Sequence, residues 1–173
     1  GASRLAAYAA LRVGAGLLTI ATDHSTDPTT LDIPEFMRIK TADITDIFLR
    51  KIDALVIGPG LSRNEAWQEK ALAFLNRLCG HSPLILCDAD ALLLLLHPRL
   101  TLSQKTIIAT PHAKEAADLL HLTTQQIVDD PRAALERLAE LPCNQKNRIF
   151  WLLKGPNTLM RDLNGTVFSH KGE

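Results

Sequence analysis

Residues 53–61 read Asp-Ala-Leu-Val-Ile-Gly-Pro-Gly-Leu. Four apolar residues, Ala54 to Ile57, run without alternation straight into Gly58, Pro59 and Gly60. A short continuous apolar run bounded by turn residues is the pattern of a strand buried on both faces. The next fifteen residues, Asn64 to Leu78, switch to helical period, with Trp67, Ala71, Phe74, Leu75 and Leu78 on one face. Strand, glycine turn and helix in that order predict one unit of a parallel sheet.

The same unit recurs to both sides. Upstream, Ser3 to Val13 has helical spacing of Leu5, Ala6, Ala9, Ala10 and Val13, with Ser3 as cap and Gly14 as stop. Leu17 to Ala21 then predicts a strand, Asp23 to Asp32 a polar loop, and Ile44 to Lys51 one or two helical turns. Gly14-Ala15-Gly16 precedes a strand and reads as a packing turn. Downstream, Pro83 to Cys87 predicts a strand ending at Asp88, and Ala89 to Leu96 a short buried helix. Thr106 to Thr110 predicts a strand, with Pro111 as the first residue of a helix continuing to Leu120. A helix starts at Pro131, a strand covers Ile149 to Leu153, and Thr158–Arg161 with Thr166–Ser169 predict a hairpin across Asn164-Gly165. The expected fold class is α/β, a mainly parallel sheet with helices on both faces, in one domain over residues 1–173 with no linker.

Composition narrows the function. The 173 residues carry 19 basic and 19 acidic side chains, so the net charge is zero and a nucleic-acid partner is not expected. The longest apolar run, Ala91 to Leu96, is far below the ~20 residues that span a bilayer, and no signal peptide is visible. Cys79, Cys87 and Cys143 form no CxxC pair, which predicts a reducing, cytoplasmic setting.

Open parallel sheets bind ligands beyond the carboxyl ends of their strands. The residues there are Gly58-Pro59-Gly60, Asp88-Ala89-Asp90, Pro111 to Glu115, and Lys154 to Thr158. Gly58-Pro59-Gly60 is either a plain turn or a place where backbone approaches a ligand; no P-loop and no GxGxxG after a strand occurs. Asp88 and Asp90 could hold Mg²⁺ through water or orient a substrate hydroxyl, or Asp88 could cap the following helix. His112, in the first turn of a helix, is set for a neutral hydrogen-bonding role or is a solvated surface residue. His24, His81, His97, His121 and His170 read as surface residues. Glu115 is a weak metal candidate and more simply supports the helix start. Lys154 can meet a phosphate as a point charge, with Gly155 and Thr158 as donors, or can reach out to water.

Five stretches together resemble the NAD(P)H-hydrate dehydratase family, a branch of the ribokinase-like sugar and vitamin kinases. They are GASRLAAYAALRVGAGLLTIAT (1–22), DALVIGPGL (53–61), LILCDADAL (84–92), ATPHAKEAADLL (109–120) and LLKGPNTLM (152–160). The resemblance implies repair of hydrated NADH and NADPH: ADP or ATP phosphorylates the ring hydroxyl, and loss of phosphate restores the double bond. It implies that Gly60 and His112 contact the hydrated cofactor, with Asp88 and Asp90 beside it. Lys154, Gly155, Pro156, Asn157 and Thr158 would hold the nucleotide, and the protein would be a homo-oligomer. The chain departs from the family's HPGE, DADALN and KGxGT patterns at Ala113-Lys114, Leu93 and Asn157. The family also has a strand and loop ahead of Gly1 and a GxGD segment, with the aspartate base, after Glu173. The resemblance therefore implies an incomplete domain with no catalytic base in this segment. Two other readings are a ribokinase-like kinase of a vitamin precursor, such as a hydroxymethylpyrimidine or thiazole alcohol, and a non-catalytic nucleotide-binding paralogue.

Overall fold

Helix α1 spans Ala2–Arg12 and stops at a glycine. Gly14 takes φ +100, the N–H of Gly14 reaches the carbonyl of Leu11, and that of Ala15 reaches Ala10. This double closure is a Schellman end, which glycine forms without steric cost. At the other end Gly1 is the N-cap and no side chain caps, so Ser3 lies inside the helix rather than before it. The expected apolar face is not the buried one: Ala7 alone of the helix is buried, while Leu5 and Val13 are 73% and 88% exposed. Alanine fits any face, so an alanine-rich helix gives weak directional information.

The computed structural model describes residues 1–22, 36–81 and 83–172. The loop expected at Asp23 to Asp32 lies outside the described residues, as does the side chain of Cys79. The chain divides into two compact units, Gly1–Lys51 and Ile52–Glu173. In the first, β1 (Thr19–Ala21) pairs in parallel with β2 (Met37–Ile39), a strand too short for its pattern to show in the sequence. Helix α2 (Asp46–Leu49) follows, capped by the Thr45 hydroxyl, which accepts from the Phe48 N–H.

The second unit holds a six-stranded sheet. β3 (Ala54–Ile57), β4 (Leu84–Cys87), β5 (Thr106–Ala109) and β6 (Arg148–Leu153) are parallel and adjacent in chain order. β7 (Asn157–Arg161) and β8 (Val167–Lys171) complete it as an antiparallel hairpin. The connections carry α3 (Glu65–Arg77), a 3₁₀ helix over Ala89–Leu96, α4 (Ala113–Leu120), α5 (Thr124–Asp129), α6 (Pro131–Ala139) and α7 (Cys143–Lys146).

The crossovers joining β3, β4, β5 and β6 all step the same way, and right-handed connections of that kind lie on one face of a sheet. On that face Ile85, Cys87, Ile107, Ala109, Ile149, Trp151 and Leu153 are buried. The Trp151 indole N–H donates to Asn144 of α7 at 2.9 Å. The opposite face carries the paired row Val56, Leu86, Ile108 and Phe150. There Val56 is 49% exposed and, on the same face, Leu84 40%. Within this unit the expected helical layers are thus met on one face.

Three local details differ from the sequence reading. Pro111 precedes α4 rather than starting it, because His112 is the N-cap with extended backbone. Helices α5 and α7 were not expected; α5 announces itself only through the capping box of Thr123 and Gln126. The hairpin closes at Arg161↔Val167, so its loop is longer than Asn164-Gly165. Asp162 organises it by accepting from the N–H groups of Asn164 and Thr166, and Gly165 alone takes positive φ there.

Candidate functional site

The site is built where β3 to β6 end. Leu61 N–H bonds the Gly58 carbonyl at 2.9 Å, closing a turn with Pro59 and Gly60 at its centre. Gly60 has φ +76, the backbone that a type II turn demands after a proline. Gly58 has φ +119, and a β-carbon there would stand 1.7 Å from the Asp88 carbonyl oxygen. The first glycine is therefore required by contact with the neighbouring strand end, and the second by the turn.

Asp88 stands at the end of β4 with its side chain 26% exposed. Its Oδ1 accepts from Lys154 Nζ at 2.6 Å and from the Thr110 hydroxyl at 2.8 Å. Burial pushes the carboxyl up, but the hydrogen bonds of Lys154 and Thr110, the lysine charge and the Ala89 N–H outweigh it and hold Asp88 below the usual carboxylate range. Asp88 makes no cap bond to the 3₁₀ helix, so capping, one of the two readings of its sequence position, is corrected. Its Oδ1 is instead directed at Lys154 and Thr110. Ala89, next along, takes φ +49, a strained value for a residue with a β-carbon.

Asp90 is also engaged, but elsewhere. It accepts from the Ser62 N–H and from Arg63 Nε, both at 3.1 Å, and Arg63 Nη2 reaches Asp118 at 3.2 Å. Hydrogen bonds to Asp90 and Asp118 raise the Arg63 pKa further, so it stays charged.

His112 and Lys154 are joined as a parallel bridge between strand ends, with Lys154 N–H on the Pro111 carbonyl at 2.8 Å. The His112 Nδ1 accepts from the N–H groups of Lys114 and Glu115 at 3.1 and 3.3 Å. A nitrogen that accepts carries no proton, which leaves Nε2 as the protonated edge, 3.3 Å from Glu115 Oε1. Glu115 Oε2 accepts the His112 N–H at 2.8 Å and completes a capping box. Glu115 is thus committed to the helix start. Among the described residues no group of three His, Cys, Asp or Glu side chains could hold a metal ion. Asp88 and Asp90 are each held by a cation of the protein, so the donors present do not form a Mg²⁺ cage.

Lys154, Gly155 and Pro156 make the tight link from β6 into β7, whose first residues are Asn157 and Thr158. The Thr158 hydroxyl donates to the Gly155 carbonyl at 3.2 Å, which stiffens the link. The structure therefore gathers Gly58, Gly60, Asp88, His112 and Lys154 on adjacent strand ends and assigns Asp90 and Glu115 to supporting bonds. The sequence reading missed Thr110, Ser62, Arg63 and Asp118. Thr110 had a signal, a hydroxyl directly after an apolar strand; the others had none, because their partners lie 27 to 55 residues away.

The sequence model of the NAD(P)H-hydrate dehydratase family matches residues 1–172. The bifunctional NAD(P)H-hydrate repair enzyme Nnr of Coxiella burnetii is 35% identical over 165 residues, 94% of this chain and 32% of that protein. The ADP-dependent (S)-NAD(P)H-hydrate dehydratase of Streptococcus pneumoniae is 31% identical over 137 residues, 78% of this chain and 47% of that protein. A ribokinase-like superfamily protein of Enterococcus faecalis has the same fold, with TM-score 0.74 and 23% identity over 97% of this chain and 57% of its own. The chain thus spans about a third of the first of these curated relatives and about half of the second.

Proposed function

The chain belongs to the NAD(P)H-hydrate dehydratase family, and from that premise we propose that it serves ADP-dependent dehydration of hydrated NADH and NADPH. The observation that carries this reading is the Asp88–Lys154 pair with Thr110, set beside the Gly58–Leu61 turn and the His112 cap.

In this reaction the ring hydroxyl gives up its proton to water as its oxygen attacks the terminal phosphorus of ADP, and the bond to AMP breaks with its electron pair leaving on AMP. The ring carbon–oxygen bond then breaks, phosphate leaves with that electron pair, and a proton is lost from the adjacent carbon as the double bond forms. The described residues bind and orient. The Gly58–Leu61 turn presents bare backbone to the ring. His112, with Nδ1 spent on the helix, can meet a ligand only with its Nε2 edge, which Glu115 Oε1 also meets at 3.3 Å. Lys154 supplies a cation at the strand ends, where charge on a transferring phosphoryl group needs balancing. Asp88 holds that cation in place. Neither Asp88 nor Asp90 is read as the base, because each is already bound to a cation, and no step is assigned to Mg²⁺.

The buried free thiols of Cys87 and Cys143 fit a reducing compartment, and we place the activity in the cytoplasm. No helix among the described residues is long and apolar enough to cross a membrane.

The test is to incubate hydrated NADPH with the protein that carries this chain, ADP and Mg²⁺. Restored NADPH, with AMP and phosphate released in equal amounts, is expected. Hydrate that persists while a hydroxymethylpyrimidine alcohol is phosphorylated would move the assignment to a vitamin kinase.

A further inference from the structure

Ser62 has every polar group of its residue tied down, at a backbone angle of φ +73 that side chains rarely adopt. Its N–H donates to Asp90 Oδ2 at 3.1 Å, its hydroxyl accepts from Asn64 N–H at 3.2 Å, and its carbonyl accepts from the Gln68 amide at 2.8 Å. Arg63, the next residue, then joins three elements with one guanidinium. Nε meets Asp90 Oδ1 at 3.1 Å and Nη2 meets Asp118 Oδ2 at 3.2 Å. Asp90 lies on the segment that begins at Asp88, and Asp118 lies on α4, the helix capped by His112.

The Arg63 side chain is 56% exposed and Asp118 34%. Pairs exposed to this degree contribute little to stability. What this pair does supply is geometry. It ties a loop whose backbone is strained to the helix that His112 caps. A planar fork can engage two carboxylates in fixed directions, which an ammonium on a flexible stem cannot.

The geometry points to Arg63 as a positioning residue that sets the spacing between the Gly58–Leu61 turn and the His112-capped helix. Resting on the function proposed above, that spacing sets how the turn and His112 together meet the hydrated nicotinamide ring, so Arg63 governs that substrate and not the nucleotide.

The test uses Arg63→Met, Arg63→Lys and Asp118→Asn in the protein that carries this chain. The expected result is a KM for hydrated NADPH raised about tenfold, below the ~10²-fold that a 1 Å misplacement can cost. KM for ADP should stay within about twofold. Arg63→Lys should restore little. Hydrogen exchange read in parallel should be faster at residues 58–63 and 112–116 in all three variants, with the rest of the sheet unchanged. An unchanged KM for hydrated NADPH, an equal rise in both KM values, or unchanged exchange at both segments would overturn the assignment. A wild-type protein that leaves hydrated NADPH untouched would defeat the functional reading alone. Exchange would then decide the positioning role by the same two outcomes.

Discussion

A β-carbon on Gly58 would stand 1.7 Å from the carbonyl oxygen of Asp88. Two strand ends, thirty residues apart in the chain, are thus in backbone contact at the centre of the candidate site. The approach lets the Gly58–Leu61 turn and the Asp88–Lys154 pair share one rim.

Gly58→Ala should be strongly destabilising, because the residue has φ +119 and the obstacle is backbone, which has no flexible end to move aside. The expected loss is about 3 kcal/mol or more. Gly155→Ala is the control: its β-carbon would meet only the Asn157 carbonyl at 3.5 Å, an ordinary contact. It should change stability by less than about 1 kcal/mol. Urea unfolding of the two variants checks this, and equal losses would refute it.

Asp88 should titrate below a free carboxyl, and Lys154→Met should reverse that. A native value lowered below the unfolded one stabilises the fold. The contribution is complete above the unfolded carboxylate value of ~3.9 and is lost as pH falls through the native value. Removing Lys154 takes away its hydrogen bond and its charge and leaves burial as the largest influence, which acts upward. The variant, its native Asp88 value no longer below the unfolded one, should stop losing stability through this residue as pH falls, and Asp88 should instead disfavour its fold as pH rises through the carboxylate range. Its Asp88 carboxyl, followed by ¹³C NMR, should titrate higher than in the unaltered protein; a value that stays put would show that Lys154 does not hold it down.

Glu115→Ala should weaken the start of α4 by about 1 kcal/mol, the usual worth of half a capping box. Glu115→Gln keeps an oxygen to accept the His112 N–H and should lose less. Denaturation midpoints of the pair decide it. Equal losses in the two variants would show that the charge, rather than the accepting oxygen, matters.

Cys87 and Cys143 should resist alkylation in the folded protein. Burial pushes the Cys87 thiol up to about 12 and the Cys143 thiol up to about 11, so neither is a thiolate at neutral pH. Peptide mass spectrometry after iodoacetamide should find both unmodified under native conditions and both modified in denaturant. Native labelling at Cys87 would contradict its burial on the covered face of the sheet.

Much of the fold could be read directly from the order of residues. Ala54–Ile57 matches its expected span, because a continuous apolar run ending in glycine and proline has few alternatives as a strand. Pro131 begins α6 as expected, since its missing N–H is harmless at a first helical position. The rim of the site was legible for the same reason: in a parallel sheet, whatever follows each strand arrives at one edge. Short elements escaped. β2 has three residues and α7 four, too few for a period to show.

What the sequence determined by itself is local: where strands stop and where glycine ends a helix or a turn. What only the tertiary structure decided is which charges meet. Asp88 and Asp90 are equivalent on paper, yet one takes Lys154 from 66 residues away and the other takes Arg63 from 27. That choice depends on the adjacency of β3, β4, β5 and β6, which brings Lys154 and Arg63 to opposite sides of one short segment. Pairing of this kind acts over about 3 Å in space, and distance along the chain carries no record of it.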